Sequence, residues 1–471
     1  MLSFTANSLE ALAAWLETTG IHSAVPVEPV ANAPRPALRI TLAAGLTEFP
    51  QLLYRCTEQL EILDLSDNQL CALPADLARF VRLKRLFLTN NHFEHIPAVL
   101  AQCPALVMMS FKGNRLTEFA AGVLPVQLQW LILTDNQLPG LPADFGRYRA
   151  LQKLALAGNQ LTALPDSMQQ CQQLGLVRLA LNRFDAFPDW LFRLPHLAWL
   201  ALGANPACPV TDKAEQQLPL LTEQAFTSLE ILGQGASGVI YRVRLQQQLT
   251  QTAPDGSLIK LPVGTELALK RFKGWITSDG CPKEELQNYL NAGAHPNLIP
   301  VLARVQSDDL PALAMQLIPK SFSALGLPPS FDTITRDTFT PDLSFSAGQM
   351  LSLVRQLAAV LVQLHQRQII HGDLYAHNVL HNAAGQLYLG DFGAATALDA
   401  LPLWQQQQAK AQEVRAFGYF IQDLLPFVAT DNAADSLLPA LRQLAGRCLA
   451  PELSARPVAA ELLQQLWQIS A

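Results

Sequence analysis

One asparagine recurs at a nearly constant spacing through the first half of the chain. Its seven copies are separated by steps of 23, 23, 22, 23, 23 and 23 residues, and they are Asn68, Asn91, Asn114, Asn136, Asn159, Asn182 and Asn205. A leucine keeps the same steps from Leu60 to Leu197. A period of this length predicts a solenoid, because each unit can bury its apolar face only against its neighbours.

The unit is clearest between Leu60 and Leu70, and a Leu73-Pro74 pair follows it. We expect its leucines to point inward from a short strand and the following turn, while the asparagine bonds backbone groups of adjacent turns. Proline recurs too often for an ordinary helical leucine pattern. These motifs resemble the leucine-rich repeat family over roughly residues 38–209, which implies an α/β horseshoe of about seven units.

The ends of such an array need caps, since the terminal units have only one neighbour. Residues 1–37 are predicted to form an amphipathic helix and a cap, with Thr5 or Asn7 at the start of the helix. Residues 210–225 are predicted to be a linker with a helical segment.

The strands of the repeats are expected to line a concave surface that binds a protein substrate or regulator. Its outward positions include Arg85, Lys153 and Arg178, and its apolar contacts are predicted at Phe87, Met108, Trp130, Ile132 and Trp199. Exposed tryptophans are typical of binding surfaces. The alternative is that these aromatic side chains pack on the second half of the same chain.

Composition narrows the class of protein. Half of the residues are apolar and the net charge is −6, which argues against a nucleic-acid partner or a membrane bound by gross charge. The most apolar stretch, Leu351 to Leu364, is interrupted by Arg355 and is predicted to be a buried helix rather than a membrane span. The seven scattered cysteines form no metal-type pair and are expected to be reduced. We therefore expect a cytoplasmic protein, with delivery into a host cell as an open alternative.

The second half begins with a glycine-rich turn between two strand-like runs, which lets the backbone approach phosphates. The turn comprises Gly233, Gln234, Gly235, Ala236, Ser237 and Gly238. A dinucleotide-binding unit would continue with a helix, whereas here the strand-like run from Val239 to Leu245 follows. Lys270 ends a later strand-like run, and a hairpin or loop is predicted between them, near 246–260.

A catalytic-type loop, His371-Gly372-Asp373-Leu374-Tyr375-Ala376-His377-Asn378, is followed by Asp391-Phe392-Gly393. In this order, the motifs resemble a protein kinase domain over residues 226–468, and the combination with repeats resembles bacterial leucine-rich-repeat protein kinases. The resemblance implies an α+β bilobal domain, assigned to residues 226–471, that uses ATP and Mg²⁺. It makes Asp373 the acceptor of the substrate's proton, and Asn378 and Asp391 the metal ligands.

The same resemblance implies a nucleotide site around Lys270, which contacts the phosphates and needs a glutamate partner. Glu285 is chosen over Glu284 because it places Tyr289 one helical turn further on, toward Phe392. Glu284 is then expected to be solvated. The adenine would lie between Ile240 and Ala268 on one side and a hinge on the other, formed by Met315, Gln316, Leu317 and Ile318.

Three features depart from that family. Gly372 replaces an arginine that normally pairs with a phosphorylated loop, and the segment after Gly393 is short, with Thr396 as its only hydroxyl residue. Tyr375 replaces a lysine that contacts the γ-phosphate, and His377 is expected to substitute for it in part. The sequence therefore predicts a serine/threonine protein kinase whose repeats recruit its substrate or a partner. A pseudokinase scaffold and a small-molecule kinase are the alternatives.

Overall fold

The computed structural model describes residues 1–19, 36–209, 218–235, 238–252, 258–274, 276–277, 280–307, 312–330, 333–334, 336–429 and 432–469. It divides into two compact units. The first unit is Met1–Leu174 with Asn182–Leu191, and the second is Gly175–Leu181 with Phe192–Ala471. The division departs from the expected boundary near residue 209, because two strands of the last repeats group with the second half of the chain.

The first unit is built on a parallel sheet whose strands pair in chain order. The seven strands are β1 (Leu2–Ala6), β2 (Leu38–Leu42), β3 (Leu60–Asp64), β4 (Arg85–Phe87), β5 (Met108–Ser110), β6 (Trp130–Ile132) and β7 (Lys153–Ala155). Their leucines are buried at each equivalent position, such as Leu63, Leu86 and Leu131. The predicted inward leucines are therefore found in the core of this unit.

The N-terminal cap differs from the prediction. Leu2–Ala6 is a strand paired with β2, and helix α1 (Leu9–Thr18) starts only after Ser8, whose hydroxyl accepts the backbone N–H of Ala11. Phe4 stacks on Trp15 with ring centroids 4.8 Å apart. The alternation of apolar and polar residues in Leu2–Ala6 suits a strand that is covered by a helix on one side. Residues 20–35 of the predicted cap lie outside the described residues.

Each repeated asparagine joins consecutive turns through its buried amide. The Asn136 amide nitrogen donates to the carbonyls of Phe111, Leu133 and Thr134 at 2.9–3.3 Å, and its oxygen accepts the N–H of Leu116 at 3.0 Å. Related networks surround Asn68, Asn91, Asn114 and Asn159. An amide supplies both donors and an acceptor, which explains why one residue type recurs at this bend.

In the second unit, strands β8 (Leu176–Arg178) and β9 (Trp199–Ala201) form a parallel pair. A six-stranded sheet has the order β10-β16-β17-β15-β12-β11. Its strands are β10 (Leu220–Thr222), β11 (Phe226–Gln234), β12 (Gly238–Leu245), β15 (Glu266–Phe272), β16 (Val301–Gln306) and β17 (Ala312–Gln316). β10 pairs with β16, so this part of the predicted linker belongs to the sheet. Residues 210–217 lie outside the described part.

Shorter strands surround this sheet and the following helices. β13 (Leu249–Thr252) and β14 (Leu258–Leu261) pair antiparallel where a hairpin or loop was expected. The other short strands are β18 (Ser323–Ala324), β19 (Ile369–Ile370), β20 (Val379–His381), β21 (Leu387–Leu389) and β22 (Thr396–Ala397). β19 pairs with β22, and β20 pairs with both β18 and β21.

The helices of the second unit are α2 (Pro282–Ala292), α3 (Ala347–Gln366), α4 (Leu403–Leu424), α5 (Asn432–Cys448) and α6 (Ala459–Gln468). Helix α3 begins at a capping box formed by Ser346 and Gln349. Among the described residues it is the one helix whose length and composition would suffice for a membrane span, but 56% of its most apolar window is buried inside the protein. That burial fits the predicted core helix. All seven cysteines are free thiols.

The asparagine network predicts a large effect of one deletion. We expect Asn136→Ala to destabilise the first unit by about 3 kcal/mol, because buried amide partners lose their hydrogen bonds. The measurement is the urea midpoint of unfolding. The control is Gln137→Ala, an exposed neighbour whose backbone bond to Leu116 is kept. Equal midpoints for both variants would contradict the structural role of the asparagines.

Candidate active site

The glycine-rich turn joins β11 and β12 at the edge of the six-stranded sheet. A Cβ atom added at Gly233 or Gly235 would meet nothing within 4 Å, so this side of the turn is open. A Cβ at Gly238 would lie 2.4 Å from the carbonyl oxygen of Arg271 on β15, which leaves no room for a side chain there. Gln234 is paired with Val239 at the base of the turn. Ala236 and Ser237 lie outside the described residues.

The strand register brings the predicted nucleotide-contacting residues onto adjacent strands. Ile240 on β12 is paired with Lys270 on β15, and Ala268 on β15 is paired with Met315 on β17. Gln316 is the last residue of β17, and Leu317 and Ile318 follow it directly. The register of these strands therefore places Ile240, Ala268 and the expected hinge next to Lys270.

Lys270 is buried between two carboxylates. Its ammonium group forms an ion pair with Glu285 on α2, and its Nζ lies 3.6 Å from the Oδ1 of Asp391. Burial works against the charge of Lys270, but the attraction of Asp391 and Glu285 raises the pKa of Lys270 above its usual value. Desolvation likewise works against the charge of Asp391, yet the nearby lysine holds the pKa of Asp391 below its usual range. Both shifts favour the charged forms of Lys270 and Asp391.

Three aromatic rings pack against one another near this ion pair. Tyr289, one turn after Glu285 on α2, packs on Phe392 with centroids 4.4 Å apart, and its hydroxyl donates to the carbonyl of Ile299 at 2.6 Å. The ring of His371 also packs on Phe392, in an edge-to-face arrangement with centroids 5.1 Å apart. The packing of Tyr289 toward Phe392, which was the reason for choosing Glu285, is present in the structure.

The loop from His371 to Asn378 is tied to the segment that carries Asp391. The Asn378 amide nitrogen donates to the Asp373 carbonyl at 2.9 Å and to its Oδ2 at 2.8 Å. The N–H of Gly390 donates to the Asn378 carbonyl at 3.0 Å, and a His371 ring nitrogen lies 2.9 Å from the Gly390 carbonyl. Asp373, Asn378 and Asp391 are thus brought to one place.

A buried glutamate on α4 anchors the same loop. Glu413 accepts the N–H of Gly372 at 2.9 Å with one oxygen and bonds the ring of His365 on α3 at 2.8 Å with the other. Its side chain is almost fully buried. A carboxylate shared by two elements fixes the backbone immediately before Asp373.

His377 is bound to a residue that the sequence analysis missed. Its Nδ1 lies 2.6 Å from the Oδ1 of Asp337, whose other oxygen accepts the backbone N–H groups of Ala376 and His377. Burial alone would lower the pKa of His377, but Asp337 and Asp373 raise it. Asp337 stands in no recognisable motif, and nothing in the local sequence indicates this contact.

Arg178, the last residue of β8, also contacts the loop. Its Nη1 donates to the Gly372 carbonyl at 2.8 Å, and its Nη2 forms an ion pair with the Asp373 carboxylate. The Arg178 side chain is 2% exposed and that of Asp373 is 19% exposed. The sequence placed Arg178 among the outward strand positions. It did not indicate that the side chain at this position contacts Asp373.

The predicted binding surface of the repeats needs a correction. Trp199 was expected to be exposed, but it is only 3% exposed, because its indole N–H donates to the Leu374 carbonyl and its ring stacks on Tyr375 at 4.4 Å. The alternative, packing on the second half of the chain, is what the structure shows for this residue. Met108 is buried as well.

In the first unit, the remaining predicted contacts are only partly exposed. Phe87, Trp130 and Ile132 are half-buried, and the Lys153 ammonium lies 4.4 Å from the centre of the Trp130 ring. The aromatic area that these strands offer is therefore smaller than the sequence suggested.

Glu284 was expected to be solvated, which is also wrong. Burial raises the pKa of Glu284 to about 7, although an N–H of Ala204 partly offsets this. A Cβ on Gly203 would lie 2.4 Å from the Glu284 carboxylate, so the two segments touch. Helix α2 thus offers Glu285 to the lysine and Glu284 to the chain that follows β9.

The donor set fits a magnesium ion. The Asp391 carboxylate is 46% exposed, and the Asn378 amide also carries an oxygen, the atom type that Mg²⁺ binds. Mg²⁺ commonly takes one or two protein oxygens together with substrate phosphates. Across the described ranges there is no group of three or more His, Cys, Asp or Glu residues that could hold a metal ion. A two-ligand site completed by phosphate is therefore the arrangement that these residues suit.

Two family models match the chain. Residues 226–406 match the protein kinase domain, and residues 59–80 match the leucine-rich repeat. The chain therefore carries both a leucine-rich repeat and a protein kinase domain.

Several curated proteins are similar to the kinase part. A rice L-type lectin-domain containing receptor kinase S.7 is 29% identical over 39% of this chain and 24% of its own length. Cyclin-dependent kinase C-2 C of Arabidopsis thaliana is 26% identical over 43% of this chain and 27% of its own. The serine/threonine-protein kinase PrkC of Bacillus subtilis is 24% identical over 22% and 14%.

The chain thus spans about a quarter of these relatives or less. They come from plants and a bacterium, and they do not support the narrower likeness to bacterial repeat kinases.

The buried carboxyl of Glu284 predicts a pH effect on stability. Its folded-state pKa of about 7 exceeds the ordinary value of 4.5, so the folded state binds the proton more tightly. Stability is then lost as pH rises from 4.5 through 7, by about 3 kcal/mol in total. We expect Glu284→Gln to remove this loss, so that its thermal midpoint exceeds that of the wild type at pH 8 more than at pH 4.5.

The matched control is Glu452→Gln, which removes an exposed carboxyl of the second unit. Parallel pH profiles for the wild type and Glu284→Gln would show that this carboxyl is not buried as described.

Proposed function

We propose that this protein transfers a phosphoryl group from ATP to serine or threonine hydroxyls of proteins. The observation that carries the proposal is the assembled charge network: Lys270 is paired with Glu285 and lies 3.6 Å from Asp391. Protein kinases need this lysine–glutamate pair and the metal-binding aspartate in place at the same time. The serine/threonine class is supported by the Bacillus subtilis relative, which is a serine/threonine-protein kinase by name.

In this mechanism each residue positions charge. Lys270 would hold the α- and β-phosphates, and the open side of Gly233 and Gly235 lets the backbone approach them. Asp373 would accept the proton of the attacking hydroxyl. The amide of Asn378 orients the Asp373 carboxylate. Mg²⁺, held by Asn378 and Asp391 together with the phosphates, would neutralise the charge on the transferring group.

We assign the strands of the first unit, as part of a leucine-rich-repeat solenoid, a role in recruiting a protein substrate or regulator. The half-buried Phe87, Trp130 and Ile132 support this role, since aromatic residues are common at interfaces. A second contact on the same chain raises the effective concentration of the substrate. That would compensate for the short segment after Gly393, which offers little backbone to a peptide.

A nucleotide-binding scaffold with little turnover is the second candidate. It is favoured by one observation: Tyr375 replaces a phosphate-contacting lysine, and His377, expected to substitute for it, is bound to Asp337. Labelling separates the two candidates, because a scaffold binds nucleotide without transferring its phosphate.

We expect Asp373→Asn to lower transfer of label from γ-labelled ATP by about 10²–10⁴-fold, the usual contribution of an acid or base group. The assay uses the purified chain with Mg²⁺ and a generic protein acceptor, and the matched control is Asp342→Asn, an exposed aspartate of the same unit. Nucleotide binding without Asp373-dependent label would support the scaffold instead. Label on a metabolite fraction rather than on protein would point to a small-molecule kinase.

Phosphatase treatment is expected to leave this activity unchanged. Thr396, the only hydroxyl residue in the segment after Gly393, is fully buried, and its Oγ1 accepts the N–H of Leu202 at 2.9 Å. A kinase that would phosphorylate it cannot reach it without opening this contact. A large loss of activity after dephosphorylation would reveal an activating phosphosite elsewhere in the chain.

A further inference from the structure

The Asp373 carboxylate is held from two sides. Asn378, in the same loop, donates to Oδ2 at 2.8 Å, while the guanidinium of Arg178 pairs with Oδ1 and also donates to the Gly372 carbonyl at 2.8 Å. One rigid fork therefore fixes both the backbone before Asp373 and its side chain. A guanidinium offers such paired donors in a fixed geometry, which an ammonium group does not.

The loop itself lacks a cation at the positions where one would be expected. Gly372 and Tyr375 carry no charge, and the ring of His377 is bound to Asp337. Arg178 comes instead from β8, which lies nearly 200 residues earlier in the chain, a separation of 195 from Asp373. A cation next to the proton acceptor is thus supplied by a repeat strand rather than by the catalytic loop.

The glycine at 372 follows from the same packing. Its φ is +74°, a conformation that side-chain-bearing residues rarely adopt. An added Cβ would lie 2.6 Å from the carbonyl oxygens of both Leu200 and Ala394. Residue 372 must therefore be glycine, because the backbone of β9 leaves no room for a side chain. For the same reason, an arginine at position 372 could not supply the cation that Arg178 provides.

The strands β8 and β9, which carry Arg178 and Trp199, are part of the hydrophobic core of the second unit. Leu176 and Trp199, on the two repeat strands, belong to the same buried apolar cluster as side chains of α3 and α4. Arg456 donates to the Pro195 carbonyl at 2.8 Å, and Arg415 bonds the ring of His196 at 3.0 Å. Releasing β8 and β9 would expose this apolar surface and leave several buried polar groups without partners, which is costly.

We propose that Arg178 is a positioning residue of the phosphotransfer site, acting through Asp373. It holds the carboxylate and the Gly372 peptide in the orientation that receives the substrate hydroxyl. Each carboxylate oxygen has two lone-pair sites, so the bonds from Arg178 and Asn378 leave acceptor capacity for the substrate. The inference rests on the proposed kinase function, and it gives the last repeats a part in the site itself.

The test compares Arg178→Ala, Arg178→Lys and Arg178→Gln with the wild type in the full-length chain. We expect Arg178→Ala to lower kcat by about 10²-fold, the scale of a misplaced catalytic group, with KM for ATP within about twofold of the wild type. Arg178→Lys should retain more activity than Arg178→Gln, since it keeps the charge. Millimolar methylguanidinium should restore part of the kcat of Arg178→Ala, a response that a merely structural role would not give.

The matched control is Arg456→Ala, which removes a buried arginine of the second unit whose hydrogen bonds go to the carbonyls of Ala450, Ala411 and Pro195. Thermal midpoints identify variants that do not fold. If Arg178→Ala does not fold, the order of kcat among the folded Lys and Gln variants decides. Wild-type kcat in a folded variant overturns the inference, and so does an increase in kcat, which would make the contact inhibitory. An equal loss in Arg456→Ala would show general destabilisation and would overturn the inference.

The experiment distinguishes failure of this inference from failure of the proposed kinase function. An active wild type whose kcat is insensitive to Arg178 leaves the kinase function intact and removes only this inference. A wild type that gives no Asp373-dependent label removes the proposed function and the inference together.

Discussion

The second unit depends on the close approach of a repeat strand to the catalytic loop. The backbone of β9 passes so near to residue 372 that only glycine fits, and Glu413 on α4 binds the N–H of the same residue. Arg178 donates a hydrogen bond to the carbonyl of that residue, and Trp199 donates one to the carbonyl of Leu374. The polar backbone groups on both sides of Asp373 are therefore occupied by other elements. Such a loop is held by its surroundings rather than by its own sequence.

Much of the fold can be predicted from the sequence where the relevant contacts are local or periodic. The spacing of the asparagines predicted their common role, because each amide bonds backbone groups about one repeat away, as at Asn136. The motif order around Lys270, Asp373 and Asp391 predicted which side chains should meet, and strand register and loop geometry bring them together. In each case the pattern and the contact share one element or its immediate neighbour.

The missed contacts join residues far apart along the chain. Arg178 and Asp373 are separated by 195 residues, and no local pattern reports a pairing over that distance. The same reason explains why the burial of two other residues was missed. Trp199 was expected to be exposed because it has an outward position on its strand, and the carboxylate of Glu284 is covered by the segment at Gly203. Outward on a strand means solvent only if nothing covers the strand. Gly372 was the available signal, since a missing side chain at a crowded position indicates that another segment occupies the space.

The two buried ion pairs of the site are poor explanations for stability. Removing charges from water costs free energy that their attraction often fails to recover, so well-packed apolar groups would commonly serve the fold as well. Lys270 with Glu285 and Arg178 with Asp373 nonetheless each place a cation against a carboxylate with little access to solvent.

Both pairs converge on the segment between Asp373 and Asp391, where the proposed chemistry needs charge. In a low-dielectric site, fixed charges act on a transition state without having to reorient. The proposed phosphotransfer site would explain why these costs are concentrated at one place, because one cation would then face the nucleotide and the other would hold the proton acceptor.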